Sequence, residues 1–170
     1  MFVIKNGKVL DAIHREPQYV DIRVENGKIT EIGPNLIADG GDVIDAAGLT
    51  VSPGFVDGHV HFRDPGQTQK EDILTGAAAA AAGGYATVIC MANTVPTCDT
   101  PEIIHYVRDK AKDCPVQVLQ AGAVTHGLKG ETLTDFDALL EAGAPCLTDD
   151  GVNLTRAGLC REAMMQAAQR

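Results

Sequence analysis

The stretch GFVDGHVHFRDPG, Gly54 to Gly66, ends an apolar run with two histidines, an arginine and a Pro-Gly turn. Phe55 to His61 reads as a strand. Residues two apart in a strand point the same way, so His59 and His61 converge on one face while Val60 turns to the other. Imidazoles are poor core filler, because a buried polar group needs a partner. Two imidazoles on one face at a strand end can chelate one divalent metal. The alternative is a pair of solvated or hydrogen-bonded histidines; the flanking Asp57 and Arg63 weigh toward the metal. Two ligands are too few for a tight site, so others must come from elsewhere in the chain.

Beyond this stretch the chain alternates strand and helix. Lys70–Gly84 (KEDILTGAAAAAAGG) predicts a helix stopped at Gly83-Gly84, a common C-terminal signal. Ala86–Ala92 predicts a strand, and Thr100-Pro101 predicts a capped helix start. Val116–Val124 is a third predicted strand. Thr134 with Asp137 resembles a capping box for a helix through Leu140. Ala144–Thr148 is a short fourth strand, and Thr155 caps a last helix, Arg156–Arg170. Four strand–helix repeats imply parallel strands with crossover helices. An open doubly wound sheet and a barrel both fit that pattern. The polar residues decide: His59 and His61, Asn93, and Asp149-Asp150 each follow a different predicted strand, the layout of a barrel site. A doubly wound nucleotide fold would need a glycine-rich phosphate turn after its first strand, and HVHFRDPG is not one. The expected class is α/β: the first half of a metal-dependent (β/α)8 TIM-type barrel in residues 55–170, preceded by a small β-sandwich-like segment in residues 1–54. A whole barrel takes about 250 residues, so the expectation is the N-terminal part of a longer protein.

Residues 1–54 carry two Asn-Gly pairs between apolar runs, Asn6-Gly7 and Asn26-Gly27, the strongest short hairpin signal. Ile22, Val24, Ile29 and Ile32 are the candidate inward residues. The 170 residues are 45% hydrophobic but only 4% aromatic, so packing must rely on small side chains. A net charge of −9 argues against nucleic acid or an anionic membrane as partner. Cys90, Cys98, Cys114, Cys146 and Cys160 form no C-x-x-C pair and are odd in number, which reads as reduced thiols. There is no signal-like N-terminus and no run of about 18 apolar residues; the expectation is a soluble cytoplasmic protein.

Three stretches, Val51–Gly66 (VSPGFVDGHVHFRDPG), Gly83–Thr94 (GGYATVICMANT) and Leu147–Val152 (LTDDGV), resemble the signatures of cyclic amidohydrolases and, within them, of the longer bacterial (type I) dihydroorotases. The resemblance covers essentially all 170 residues. It implies a metal-dependent barrel with a composite β domain, and the reversible cyclisation of N-carbamoyl-L-aspartate to L-dihydroorotate in pyrimidine biosynthesis. It implies His59, His61 and Asp150 as ligands to one or two zinc ions, with Asp150 as bridge. It further implies Arg63 and Asn93 as substrate-carboxylate binders, and a proton-shuttling aspartate beyond residue 170, so that residues 1–170 alone would not turn over substrate. The implied partners are a small-molecule substrate and either a second copy or aspartate transcarbamoylase.

The chain departs from the family pattern in two places, RDPG for REPG and MANT for MPNT. Allantoinase- or dihydropyrimidinase-type relatives generally bridge their metals with a carboxylated lysine, and no lysine lies between Ala142 and Arg156. A non-catalytic homologue serving as a partner of aspartate transcarbamoylase would tend to lose the ligands retained here. For Arg63 the competing role is a salt bridge with Asp64 or Glu71, and for Asn93 a turn residue. Asp149 is expected to face away from the site and cap the turn before the last helix. His14 and His105 read as solvated and His126 as a loop residue. Cys90 and Met164-Met165 read as packing, and Ala77–Ala82 as a contact surface.

Overall fold

A computed structural model describes residues 1–170. The chain divides into two compact units, Met1–Pro53 and Gly54–Arg170.

The first unit holds seven short strands: β1 (Phe2–Lys5), β2 (Lys8–Val9), β3 (Gln18–Tyr19), β4 (Asp21–Glu25), β5 (Lys28–Gly33), β6 (Asp42–Asp45) and β7 (Thr50–Val51). They form two sheets, ordered β5-β4-β1-β6 and β3-β2-β7. Asn26-Gly27 makes the hairpin between β4 and β5, with both residues at positive φ, +51° and +73°. The Asn6-Gly7 pair does not make one. Only Asn6 is left-handed, at +63°, and the turn passes the chain from β1 in one sheet to β2 in the other. Buried Asp21 explains the difference: it accepts hydrogen bonds from Asn6 N (3.1 Å) and Leu36 N (3.0 Å), and Lys5 Nζ lies 3.9 Å away. Anchored there, the Asn6 turn cannot close on itself. Val3 and Ile22 are buried, whereas Ile29 and Ile32, expected to point inward, are 61% and 57% exposed. Both lie on β5, the sheet's edge strand, which has a neighbour on one side only.

The second unit is built on three parallel strands, β8 (Phe55–Val60), β9 (Tyr85–Cys90) and β10 (Gln117–Gln120), ordered β10-β9-β8. Helices α1 (Ile73–Ala82), α2 (Pro101–Lys110), α3 (Phe136–Glu141) and α4 (Ala157–Ala167) follow in turn. The expected fourth strand contracts to a single parallel bridge, Gly122 with Leu147, closed by Gly122 N to Cys146 O (3.1 Å) and Thr148 N to Gly122 O (2.8 Å). Pro145 has no N–H to extend the ladder.

Val88, Cys90 and Val118 from the strands pack with Phe62, Ile73, Ala77 and Val107 in one core cluster; Ala92, Cys98, Ile104, Ala123 and Leu139 belong to a second. The alanine-rich contact is narrower than expected: Ala77 is buried, Ala80 and Ala81 are partly so, and Ala78, Ala79 and Ala82 face solvent. A helix can turn only one stripe inward. Met164 and Met165, expected to pack, are 69% and 48% exposed; α4 buries only Ala163.

The caps also differ from the pattern. Asp72 caps α1, accepting from Leu74 N (2.8 Å) and Thr75 N (2.9 Å), and the Thr75 bond leads in holding its carboxyl below the ordinary 3.8. Thr100 precedes Pro101 as expected but makes no side-chain cap. Asp135, not Thr134, caps α3; the Thr134 hydroxyl instead donates to Ala123 O at 2.7 Å. Arg156, not Thr155, stands at the start of α4. A hydroxyl near a helix start caps it only if tertiary structure leaves it free. No helix is long and apolar enough to cross a membrane.

Gly76 tests the packing of α1 on the sheet, because a Cβ there would lie 2.5 Å from the Phe62 ring. Gly76→Ala should cost about 1–3 kcal/mol through overpacking despite alanine's better helix propensity. Gly158→Ala, where a Cβ meets nothing within 4 Å, should instead stabilise by about 0.5 kcal/mol. Urea denaturation of both variants checks the contrast.

Candidate metal centre

His59 sits one residue before the end of β8 and His61 one residue after it, with Val60 between them turned to the core. The backbone N–H of His59 donates to Asp57 Oδ1 at 3.0 Å, which ties the strand's last turn to its own side chain. The two Nε2 atoms lie 3.3 Å apart. From the segment after the fourth-strand bridge, Asp150 brings Oδ1 to 3.4 Å from His59 Nε2 and Oδ2 to 3.5 Å from His61 Nε2. These three residues are the one group of metal-ligating side chains whose donor atoms all lie within 4.8 Å of one another.

Asn93, in the loop after β9, organises the group. Its Oδ1 lies 3.0 Å from His61 Nδ1, and its Nδ2 donates to Asp150 Oδ2 at 3.4 Å. A carbonyl oxygen can only accept, so His61 must carry its proton on Nδ1. That leaves the lone pair of Nε2 aimed at His59 and Asp150. Fixing the tautomer by a hydrogen bond to the far nitrogen is how a metal-binding histidine is usually oriented.

The donor set fits a divalent cation. Ligands about 2.0–2.1 Å from an ion at tetrahedral angles lie about 3.3 Å from one another. The two imidazole nitrogens are 3.3 Å apart, and each has a different Asp150 oxygen near that spacing, Oδ1 at 3.4 Å from His59 and Oδ2 at 3.5 Å from His61. The site is half-open: the side chains of His59, His61 and Asp150 are 56%, 30% and 25% exposed.

Asp149 faces away from this group, as expected, but it does not cap the turn before the last helix. It is buried and accepts from Val124 N (2.8 Å), Thr125 N (3.0 Å) and the Thr125 hydroxyl. It thereby clamps the Asp150 loop onto the segment that follows β10. No local pattern pointed to this, because the donors lie 24 and 25 residues upstream.

Arg63 follows His61 by two residues and adopts a left-handed backbone, φ +59°. The arginine ion pairs are made by Arg23, Arg108 and Arg170, and Arg63 makes none. The salt bridge weighed for it is absent because both acids are engaged. Asp64 binds Lys110 Nζ (2.6 Å), Tyr106 OH (2.8 Å) and Ile73 N (3.3 Å), while Glu71 pairs with the Thr75 hydroxyl. This second cluster is invisible to sequence reasoning, since Tyr106 and Lys110 lie 42 and 46 residues from Asp64. His126 stands apart from the centre, with Nδ1 3.5 Å from Asp99 Oδ2. Burial pushes the Cys90 and Cys98 thiols up to about 12, which excludes them as nucleophiles at neutral pH.

Comparison with known proteins gives the family and the fold. The chain is 48% identical over 170 residues to a dihydroorotase of Clostridium acetobutylicum and 49% identical over 168 residues to one of Bacillus subtilis. It covers 99% and 98% of itself in these matches but only 40% and 39% of the two relatives. Among solved structures, an L-hydantoinase (dihydropyrimidinase) from Arthrobacter aurescens superposes with a TM-score of 0.80 at 24% identity, over 99% of this chain and 38% of that one. A D-hydantoinase does so with a TM-score of 0.75 at 26% identity, over 98% and 37%. The mixed α/β fold is thus that of an N-terminal part of the amidohydrolases. A family model described as dihydro-orotase-like matches residues 48–170, from just before β7 through the Asp150 loop to the last residue. The chain belongs to the dihydroorotase-like family.

Proposed function

We propose that the protein is a dihydroorotase, closing N-carbamoyl-L-aspartate to L-dihydroorotate and reopening it. Asp150 is the observation that carries this reading. It meets both imidazoles within 3.5 Å, at the place where the lysine-bridged relatives need a lysine and this chain has none. In this reading residues 1–54 contribute to a composite β domain, and residues 55–170 supply the first four βα units of a TIM-type barrel.

His59, His61 and Asp150 would hold zinc, one or two ions. A divalent ion there supplies Lewis acidity at the amide carbonyl and makes water nucleophilic at neutral pH. The chain's own residues do the rest. Asn93 holds His61 in the tautomer whose Nε2 lone pair faces the centre. Only one proton of its Nδ2 is engaged, at a long 3.4 Å, so the other is available to a substrate carboxylate. Arg63, free of internal pairing, offers its planar fork to the same carboxylate through two charge-assisted bonds. Proton transfer belongs to an aspartate outside residues 1–170.

In the intact protein, Asp150→Ala should lower the divalent-metal stoichiometry and abolish most ring-closure activity while circular dichroism stays that of the native fold. Retention of full stoichiometry and rate would sink the Asp150 assignment. Asp149→Ala should show the opposite balance, keeping metal but losing about 1–3 kcal/mol of stability, because two backbone donors and a hydroxyl lose their buried acceptor.

Arg63→Ala should raise KM for carbamoyl-aspartate about 10- to 100-fold, the loss of a charged bidentate contact, with metal content unchanged. Steady-state kinetics beside metal analysis separates these two quantities.

A further inference from the structure

Asp64 is the most enclosed carboxylate of the second unit, its side chain 0% exposed. It immediately follows Arg63, the one nearby cation in sequence. A buried carboxylate stripped of its counter-charge is strongly destabilising, so an unpaired Asp64 would draw the neighbouring guanidinium onto itself. It does not do so here. Oδ1 accepts from Tyr106 OH at 2.8 Å, and Oδ2 accepts from Lys110 Nζ at 2.6 Å and Ile73 N at 3.3 Å.

The counter-charge arrives from α2. Tyr106 and Lys110 stand one turn apart on that helix, share a face, and touch each other, with Nζ and OH 3.3 Å apart. Lys110 occupies the last turn, where the helix dipole favours a cation. Its ammonium is held in the charged form chiefly by the bond to Asp64.

The loop that carries Arg63 is closed and stitched in place. Gln67 N bonds to Arg63 O at 2.8 Å, and Val95 N bonds to Pro65 O at 3.1 Å. Gly66, at φ +98°, leaves no room for a side chain, since a Cβ would fall 2.0 Å from Val95 O. The segment it rests on is the one that presents Asn93. The two residues assigned to the carboxylate therefore share one frame, and the Asp64–Lys110 pair anchors it to α2.

We propose that Lys110 is a positioning residue for substrate binding: by neutralising Asp64 it keeps the Arg63 guanidinium free and aimed at the substrate carboxylate. This rests on the assignment of Arg63 made above. Lys110 itself touches neither the metal-ligating residues nor Arg63.

The test is Lys110→Met in the intact, metal-loaded protein. KM for carbamoyl-aspartate should rise about 10-fold or more, the scale of one lost charge-assisted contact. Metal content should match the parent, and kcat should change by no more than about three-fold, as expected when ground-state and transition-state binding weaken together. Lys110→Arg should restore KM. The double variant Asp64→Asn/Lys110→Met strands no charge, so its KM should lie near the parent value. Should Lys110→Met not fold, Lys110→Gln keeps a donor while removing the charge and is read the same way. An unchanged KM in the single variant, or a double variant as impaired as the single one, overturns the proposal. Arg63→Ala separates the two levels: if it leaves KM unchanged, the carboxylate assignment itself fails. If it raises KM while Lys110→Met does not, only the role of Lys110 fails.

Discussion

Parallel pairing of β8, β9 and β10 is the constraint on which the rest of the second unit depends. Parallel strands place all their carboxyl ends on one edge of the sheet, and adjacent strands lie only about 4.8 Å apart. Val60 and Gln120 both register against Cys90, so the chain leaves all three strands at nearly one level. His61, Asn93 and the segment clamped by Asp149 emerge within reach of one another for that reason. An antiparallel arrangement would send alternate loops to opposite edges and separate the same residues by the length of a strand.

Carboxylates that are indistinguishable by residue type do different work according to their surroundings. Asp21, Asp64 and Asp149 are buried and saturated with donors, and each fastens a loop to a distant segment. Asp150 is a quarter exposed, meets two imidazoles and one long amide contact, and has lone pairs to spare. A buried carboxylate needs its donors, because stranding it costs several kcal/mol. A partly exposed one next to ring-nitrogen lone pairs has the opposite requirement, a positive charge placed between them. The adjacent pair Asp149-Asp150 shows both cases within a single turn.

Small side chains set how closely the helices approach. Gly76 lets α1 seat against Phe62, and Ala77 is fully buried beneath it. Phe62 directly follows His61, so the packing of α1 on its ring bears on the backbone that presents an imidazole. The same stretch therefore alternates duties residue by residue, with His61 and Arg63 toward the open edge and Phe62 and Asp64 toward the interior.

Local chemistry was enough to read the strand–helix alternation, the Asn26-Gly27 hairpin, the Gly83-Gly84 stop and the shared face of His59 and His61. Each follows from a period, a φ requirement or a side-chain direction that a few consecutive residues dictate. The strand order already placed Asp149-Asp150 at the same sheet edge as the histidines, but the choice of Asp150 within the pair came only through likeness to a family, since nothing within the loop says which acid faces the site. Which hydroxyl caps a helix, which Asn-Gly pair closes a hairpin and which acid of a pair is buried were decided by tertiary structure. Thr134 gave its proton to Ala123, Asn6 was held by Asp21, and Asp149 found its donors 24 and 25 residues upstream. The Asp64–Tyr106–Lys110 cluster belongs to the same class. Hydrogen bonds and ion pairs between segments far apart in the chain exist only once parallel pairing has brought those segments together, and no local pattern encodes them.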